Sequence, residues 1–133
     1  MKTYKRTKTS LEASSLITQH EYERAYEKYE SSYEIATELN DSFKINDAST
    51  NLGIALFFLG KIKEANEKLE AVYNSITSSQ PPSSLTLIYF VLKTSSNLAL
   101  CDIANNKTKD AMEVLSYIIS IISKEVSKSK QKR

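Results

Sequence analysis

The sequence has few residues that break secondary structure or cross-link a chain: two Gly, two Pro, one Cys, one His and no Trp in 133 residues. A protein of many short strands needs Gly and Pro at its turns, so their scarcity argues against an all-β fold. The single Cys101 excludes an internal disulfide framework and a zinc site built from several cysteines. The length suits one domain whose hydrophobic core needs no such reinforcement.

Long hydrophobic runs are also missing. The longest runs, residues 54–59 and 87–92, are far shorter than the ~20 apolar residues that cross a bilayer. The first fifteen residues are polar and basic and lack the apolar segment of a signal peptide. We therefore expect no membrane insertion and a reducing, cytoplasmic location, with the nucleus as the alternative.

The net charge of +2 hides a segregation of charge along the chain. Residues 1–8 and 124–133 together carry +8, whereas residues 9–123 carry nine basic and fifteen acidic side chains, a net charge of −6. This pattern predicts an acidic body with two basic ends, the second of which is a tail at 124–133. The tail has no aromatic residues to stack on bases, which argues against a nucleic-acid partner.

An internal repeat is the most informative feature of the sequence. Ala25 and Ala65 lie 40 residues apart, and each is followed four residues later by a bulky apolar residue, Tyr29 or Leu69. Asn51 and Asn97 are equivalent at an offset of 46, and the Pro-containing linker at 77–84 accommodates the additional residues. A period near 40 residues is typical of stacked helical hairpins.

Helical periodicity and helix-ending residues divide the chain further. They predict an all-α fold of six helices, at residues 4–18, 21–39, 42–59, 61–77, 84–104 and 107–128. These helices pair into three antiparallel hairpins, about 4–39, 42–77 and 84–128, within one domain of residues 1–133. The apolar segment 85–93 is also compatible with a buried strand, but no partner strand exists, so we expect a helix.

Residues 51–65 resemble a tetratricopeptide repeat of the variant that is roughly 40 residues long. The resemblance rests on Leu52, Gly53, Leu56, Gly60 and Ala65. The outer hairpins keep the small residues Ala25 and Ala111 but have no glycine at the turn. The resemblance implies a short right-handed α-solenoid whose first helices line a concave groove.

The same resemblance implies that the groove binds a peptide segment of a partner protein. The implied groove residues are Asp47, Thr50, Asn51, Ile54, Phe57, Lys93, Ser96, Asn97 and Leu100. An amide side chain offers both a donor and an acceptor, so Asn51 and Asn97 could bond the backbone of an extended peptide. Alternatively, these amides satisfy neighbouring turns or water.

The last helix is apolar over about half of its circumference. We expect its core stripe at Ala111, Val114, Leu115, Ile118, Ile119, Ile122 and Val126, widened by Met112 and Ile121. Helical arrays normally end on a polar face. The sequence therefore suggests a docking face that includes Ile118, Ile121 and Ile122, covered by a second copy, a larger assembly or further repeats.

The residues give little support for catalysis. His20 has no neighbours at nucleophile or metal spacing, Cys101 has no basic surroundings, and no Gly-rich phosphate loop is present. We expect no enzyme activity, no cofactor and no metal. The leading hypothesis is a protein-binding adaptor, the alternative is a structural subunit or homodimer that docks through the last helix, and a peptide-sensing regulator ranks third.

Overall fold

The computed structural model describes residues 2–18 and 20–131, and these residues form six α-helices without a strand. The helices are α1 (Lys2–Thr18), α2 (Tyr22–Leu39), α3 (Ser42–Phe58), α4 (Ile62–Thr77), α5 (Leu85–Ala104) and α6 (Thr108–Gln131). The predicted all-α class and the six helices are confirmed. The largest difference is at α6, which continues to Gln131 instead of ending near residue 128.

The chain divides into two compact units, Met1–Val72 and Tyr73–Arg133. In the first unit, α1 packs on α2, and α2 also packs on α3. In the second unit, α5 packs on α6. Both units are thus built from neighbouring helices joined by short connections, as hairpins require.

The turns of the three hairpins share one backbone arrangement. His20, Gly60 and Asn106 each adopt a left-handed conformation, with φ of 63°, 81° and 59°. The N–H of each residue donates to the carbonyl three residues earlier, and the N–H of the following residue donates to the carbonyl five residues before it. This is the Schellman arrangement that ends many helices. The turns therefore recur at the same offsets as the sequence repeat.

The helices that open the second and third hairpins, α3 and α5, each begin with a side-chain cap. Asp41 Oδ1 accepts a hydrogen bond from the Lys44 N–H at 3.0 Å at the start of α3, and Ser84 Oγ accepts from the Leu87 N–H at 3.2 Å at the start of α5. Each cap satisfies one amide that the helix itself leaves without a partner. The segment 85–93, which could have been a strand, is helical.

Small residues set the close packing of the first unit. Its core contains Ala13, Leu16, Ala25, Tyr29, Leu52 and Ala55. Between α3 and α4, Gly53 lies against Leu69 so closely that an added Cβ would be 2.7 Å from Leu69 Cγ. The small side chains let paired helices approach at these points.

Among the described residues, one helix is long and apolar enough to cross a membrane. It is α5, Leu85–Ala104, with a mean hydropathy of 1.3. A core helix of a protein can have the same composition, and 44% of this segment is buried inside the molecule.

The expected core stripe of α6 is partly wrong. Ala111, Val114 and Ile121 are buried, with 2%, 4% and 5% of their surfaces exposed. Four other positions of the expected stripe are open, with exposed fractions of 42% for Leu115, 63% for Ile119, 47% for Ile122 and 48% for Val126. Ile121, predicted on the docking face, is instead part of the core. The helix is apolar on more than one side, so periodicity alone could not tell which side faces α5.

Candidate protein-binding surface

The groove residues predicted on α3 are largely covered by the rest of the molecule. Thr50 is completely buried and Asn51 is 5% exposed, whereas Ile54 and Phe57 are half-buried. Phe57 also packs edge-on against Phe58, with ring centroids 5.8 Å apart. The amide of Asn51, expected to bond a peptide backbone, therefore lies inside the fold, and only Ile54 and Phe57 keep accessible apolar surface.

Asp47 is held by an ion pair within the first unit. Its Oδ2 lies 3.3 Å from Arg6 Nη1, and the two side chains are only 23% and 12% exposed. Partial burial protects such a pair from screening by salt. A ligand that used Asp47 would have to compete with Arg6.

The groove residues predicted on α5 form a more open surface. Ser96 and Leu100 are exposed, Leu100 by 52%, while Lys93 and Asn97 are half-buried. Asn97 Nδ2 donates to the Lys93 carbonyl at 2.8 Å, so one amide hydrogen is already used within the helix. The second N–H and the carbonyl oxygen of the amide still have the chemistry to bond a ligand.

Two further residues extend this surface. Tyr89 and Ile103 are 70% and 56% exposed, and both lie on the side of α5 that carries Ser96 and Leu100. We call the row Tyr89, Lys93, Ser96, Leu100 and Ile103 the α5 face. Tyr89 precedes Lys93, the first residue of the predicted groove on α5, and the prediction did not include it. The alternating steps of four and three residues in this row were the signal that could have included it.

An aromatic cluster lies beside the first hairpin turn. The rings of Tyr22 and Phe58 stack with centroids 5.2 Å apart, and His20 meets Tyr22 edge-on at 5.7 Å. His20 and Phe58 both border a shallow cavity of about 460 Å³. His20 also shares a hydrogen bond with the Tyr22 hydroxyl, so it is a structural turn residue here.

A second shallow cavity, of about 490 Å³, lies among α2, α3 and α4 in the first unit. Tyr26, Asn46, Ser49 and Glu64 line it, together with Lys68, whose Nζ lies 5.5 Å from the centroid of the Tyr33 ring. Burial raises the pKa of the Tyr26 hydroxyl, and the nearby Glu30 and Glu64 raise it further. The mixture of charges gives this cavity no single ligand chemistry.

Cys101 carries the single thiol of the sequence, and it is buried in α5. Burial, aided by Asp102, raises the pKa of the Cys101 thiol to about 11, so the thiolate that would react is scarce at neutral pH. The parts of the chain described by the structure contain no cluster of three or more His, Cys, Asp or Glu residues that could hold a metal ion.

The comparisons with known proteins identify the fold. No family model matches the sequence, and no curated protein matches it either. The TPR domain of Arabidopsis FLU superposes with a TM-score of 0.73 at 17% identity, over 93% of this chain and 99% of that domain. Two crystal structures of nearly identical TPR-like repeats from a Podosopora anserina kinesin light chain also match, with TM-scores of 0.74 and 0.70 at 20% identity.

This chain therefore has the all-α fold of the tetratricopeptide-like solenoids. It matches nearly the whole FLU domain but spans 57% and 56% of the two kinesin light chain structures. Tetratricopeptide-like folds commonly mediate interactions between proteins. The identities are low, so the likeness concerns the fold alone.

Proposed function

We propose that this protein is a non-catalytic cytoplasmic adaptor that binds a segment of a partner protein on the α5 face. The observation that carries the proposal is the α5 face, where Tyr89, Leu100 and Ile103 expose apolar surface on a rigid helix. Exposed apolar residues grouped on one side of a helix are typical of protein-binding surfaces.

The α5 face also indicates what kind of segment it would bind. Leu100 and Ile103 provide an apolar end, Ser96 and Asn97 provide polar groups in the middle, and Tyr89 provides an aromatic ring at the other end. A segment with apolar side chains at both ends and polar backbone groups between them would complement this order. Aromatic residues such as Tyr89 often contribute most to the affinity at protein interfaces.

The proposal can be tested with a library of phage-displayed random peptides selected on the immobilised full-length protein. We expect enriched peptides to lose at least about tenfold in affinity, or about 1.4 kcal/mol, on the double variant Leu100→Lys/Ile103→Lys. Both side chains are more than half exposed, so the variant should fold, which circular dichroism checks. Ile119→Lys, an exposed site on α6, is the matched control and should bind normally.

Two results would contradict the adaptor proposal. One is a selection that enriches no peptide over several rounds. The other is a set of peptides that bind the double variant and the wild-type protein equally, because the α5 face would then not be the binding surface.

A second role, docking of α6 on another subunit, is favoured by a different observation. Met112, Ile119 and Ile122 on α6 are apolar and exposed. This surface does not include the α5 face, so the two roles can be separated by variants.

A further inference from the structure

Five exposed aliphatic residues form a continuous row along α6. They are Met112, Leu115, Ile119, Ile122 and Val126, with 64%, 42%, 63%, 47% and 48% of their surfaces exposed. Their positions advance by three, four, three and four residues, the spacing of the a and d positions at which helices of a coiled coil meet. We call this row the α6 seam.

The equivalent positions of the internal repeat are covered by another helix in the first unit. By the repeat offsets of 40 and 46 residues, Leu115 corresponds to Tyr29 and Ile122 corresponds to Ala36. In the first unit, α2 packs on α3, and Tyr29 and Ala36 are only 4% and 0% exposed. The same positions of the repeat are thus covered on α2 and open on α6.

In a head-to-tail chain of copies, α1 of the next copy would cover the α6 seam as α3 covers α2. The residues of α1 do not suit that position. On α3, Leu52 and Ala55 enter the core beside Tyr29. The repeat places Glu12 and Ser15 at the equivalent positions of α1, and Glu12 is ion-paired with Lys28 at 3.3 Å. Pressing a carboxylate against an aliphatic seam would remove it from water without providing a partner, so a head-to-tail chain of copies is disfavoured.

The α6 seam is instead suited to pack against the α6 seam of a second copy. Ser116 and Ser123 flank it on one side, and Ala111 and Ile118 flank it on the other, so its central turns present no charge to a neighbouring helix. Aliphatic residues at heptad spacing with uncharged neighbours let two helices pack along the row without burying a charge. An α6 against α6 contact is isologous, so it closes after two copies.

Charge and dipole favour an antiparallel arrangement. The final turns of α6 carry Lys124, Lys128 and Lys130 against Glu125 alone, whereas its first turns are nearly balanced, with Lys109 against Asp110 and Glu113. Parallel helices would bring the two basic ends together, whereas antiparallel helices keep the basic ends apart and oppose the helix dipoles.

We propose that this protein forms a two-fold dimer through the α6 seam, with the two α6 helices antiparallel and crossing near Ile119. The dimer goes beyond the proposed adaptor function and does not depend on it, because it uses a different helix. It leaves the α5 face of each copy open for a partner.

The first test is the concentration dependence of mass, measured by sedimentation equilibrium on the full-length protein. We expect the mass to rise from 15.0 kDa toward twice that value between micromolar and submillimolar concentrations. Ile119→Lys should remain monomeric over the same range, and Leu100→Lys on α5 should dimerise like the wild-type protein. A wild-type protein that stays monomeric, or a dimer that survives Ile119→Lys, would overturn the proposal.

The second test reports the orientation of the helices by cross-linking. In a Cys101→Ser background, Ile119→Cys should form a disulfide between two copies because the residue lies near the two-fold axis. Val126→Cys should not, since a rise of 1.5 Å per residue places the two copies of residue 126 about 21 Å apart along antiparallel helices. Efficient cross-linking at both positions would show parallel helices and contradict the arrangement proposed here.

Discussion

At the scale of single residues, three different residue types adopt the same left-handed backbone conformation at the hairpin turns. His20, Gly60 and Asn106 end the first helix of their hairpins with φ near 60–80°. Glycine adopts this conformation without a steric penalty, asparagine tolerates it, and most other residues pay about 1–2 kcal/mol. The repeat therefore conserves the backbone of the turn while the residue that forms it changes.

The turns give a direct prediction for stability. Gly60→Ala should lower the free energy of unfolding by about 1 kcal/mol, because alanine is strained at positive φ although a Cβ there would meet nothing within 4 Å. Asn106→Ala should be destabilising, and Asn106→Gly should not. Urea denaturation measures all three variants, and equal stabilities of Asn106→Ala and Asn106→Gly would contradict the strain explanation.

The buried thiol of Cys101 predicts a dependence of stability on alkaline pH. Its pKa is raised from an ordinary value of 9.0 to about 11, so the unfolded chain loses this proton at a lower pH than the folded one. The contribution of this raised pKa to the free energy of unfolding is complete below pH 9 and is lost as the pH rises toward 11. In this window we expect the free energy of unfolding to fall less steeply with pH in Cys101→Ala than in the wild-type protein.

A matched comparison strengthens the pH experiment. Burial also raises the pKa of Tyr73 and Tyr117, so the wild-type protein and the variant should both lose stability at alkaline pH. Only the difference between their slopes reports on Cys101. Identical slopes would mean that the thiol titrates normally in the folded protein.

At the scale of the elements, helix positions followed from the sequence more closely than helix faces did. The predicted bounds of the four helices α2 to α5 lie within one residue of the structure at both ends, because caps and turns are local signals. The buried side of α6 follows from the sequence only in part. Ala111 and Val114 are buried as expected, but Ile119 and Ile121 are equally hydrophobic and only packing on α5 distinguishes them. The burial of Asn51 likewise comes from contacts with other parts of the chain, which the helical pattern does not encode.

The contact between α3 and α4 gives a prediction at this scale. Gly53→Ala should destabilise the protein by about 1–2 kcal/mol, because the clash with the fully buried Leu69 outweighs the better helix propensity of alanine. Leu69→Ala alone should also destabilise, through the cavity that it leaves. In the double variant the clash is absent, so the two effects should be less than additive in urea denaturation. Strict additivity would show that α4 moves to accept the methyl group.

At the scale of the whole molecule, the linker at 78–84 is the longest connection in the described part of the chain. Of its residues, all but Pro82 are exposed, and none is helical. Long exposed connections are where proteases cut folded domains. The repeat offset grows from 40 to 46 across this segment, so the added residues lie where they interrupt no helix.

Limited proteolysis tests this assignment. Subtilisin should first cut the native protein between Ser78 and Ser84, outside the two Pro bonds, and give two fragments that mass spectrometry can identify. The turn at Gly60 is the internal control, because its two hydrogen-bonded residues should resist cutting under the same conditions. A first cut within any helix would contradict the prediction.

The sequence alone determined the all-α class, the number of helices in the described chain and the register of the three hairpins. These follow from periodicity, from breaks such as Gly60 and from small residues at fixed offsets, all of which act within one or two helices. The tertiary structure decided which side of each helix stays open. That choice depends on residues distant in the chain, such as Arg6 against Asp47 and α5 against Ile121, whose packing no local pattern encodes.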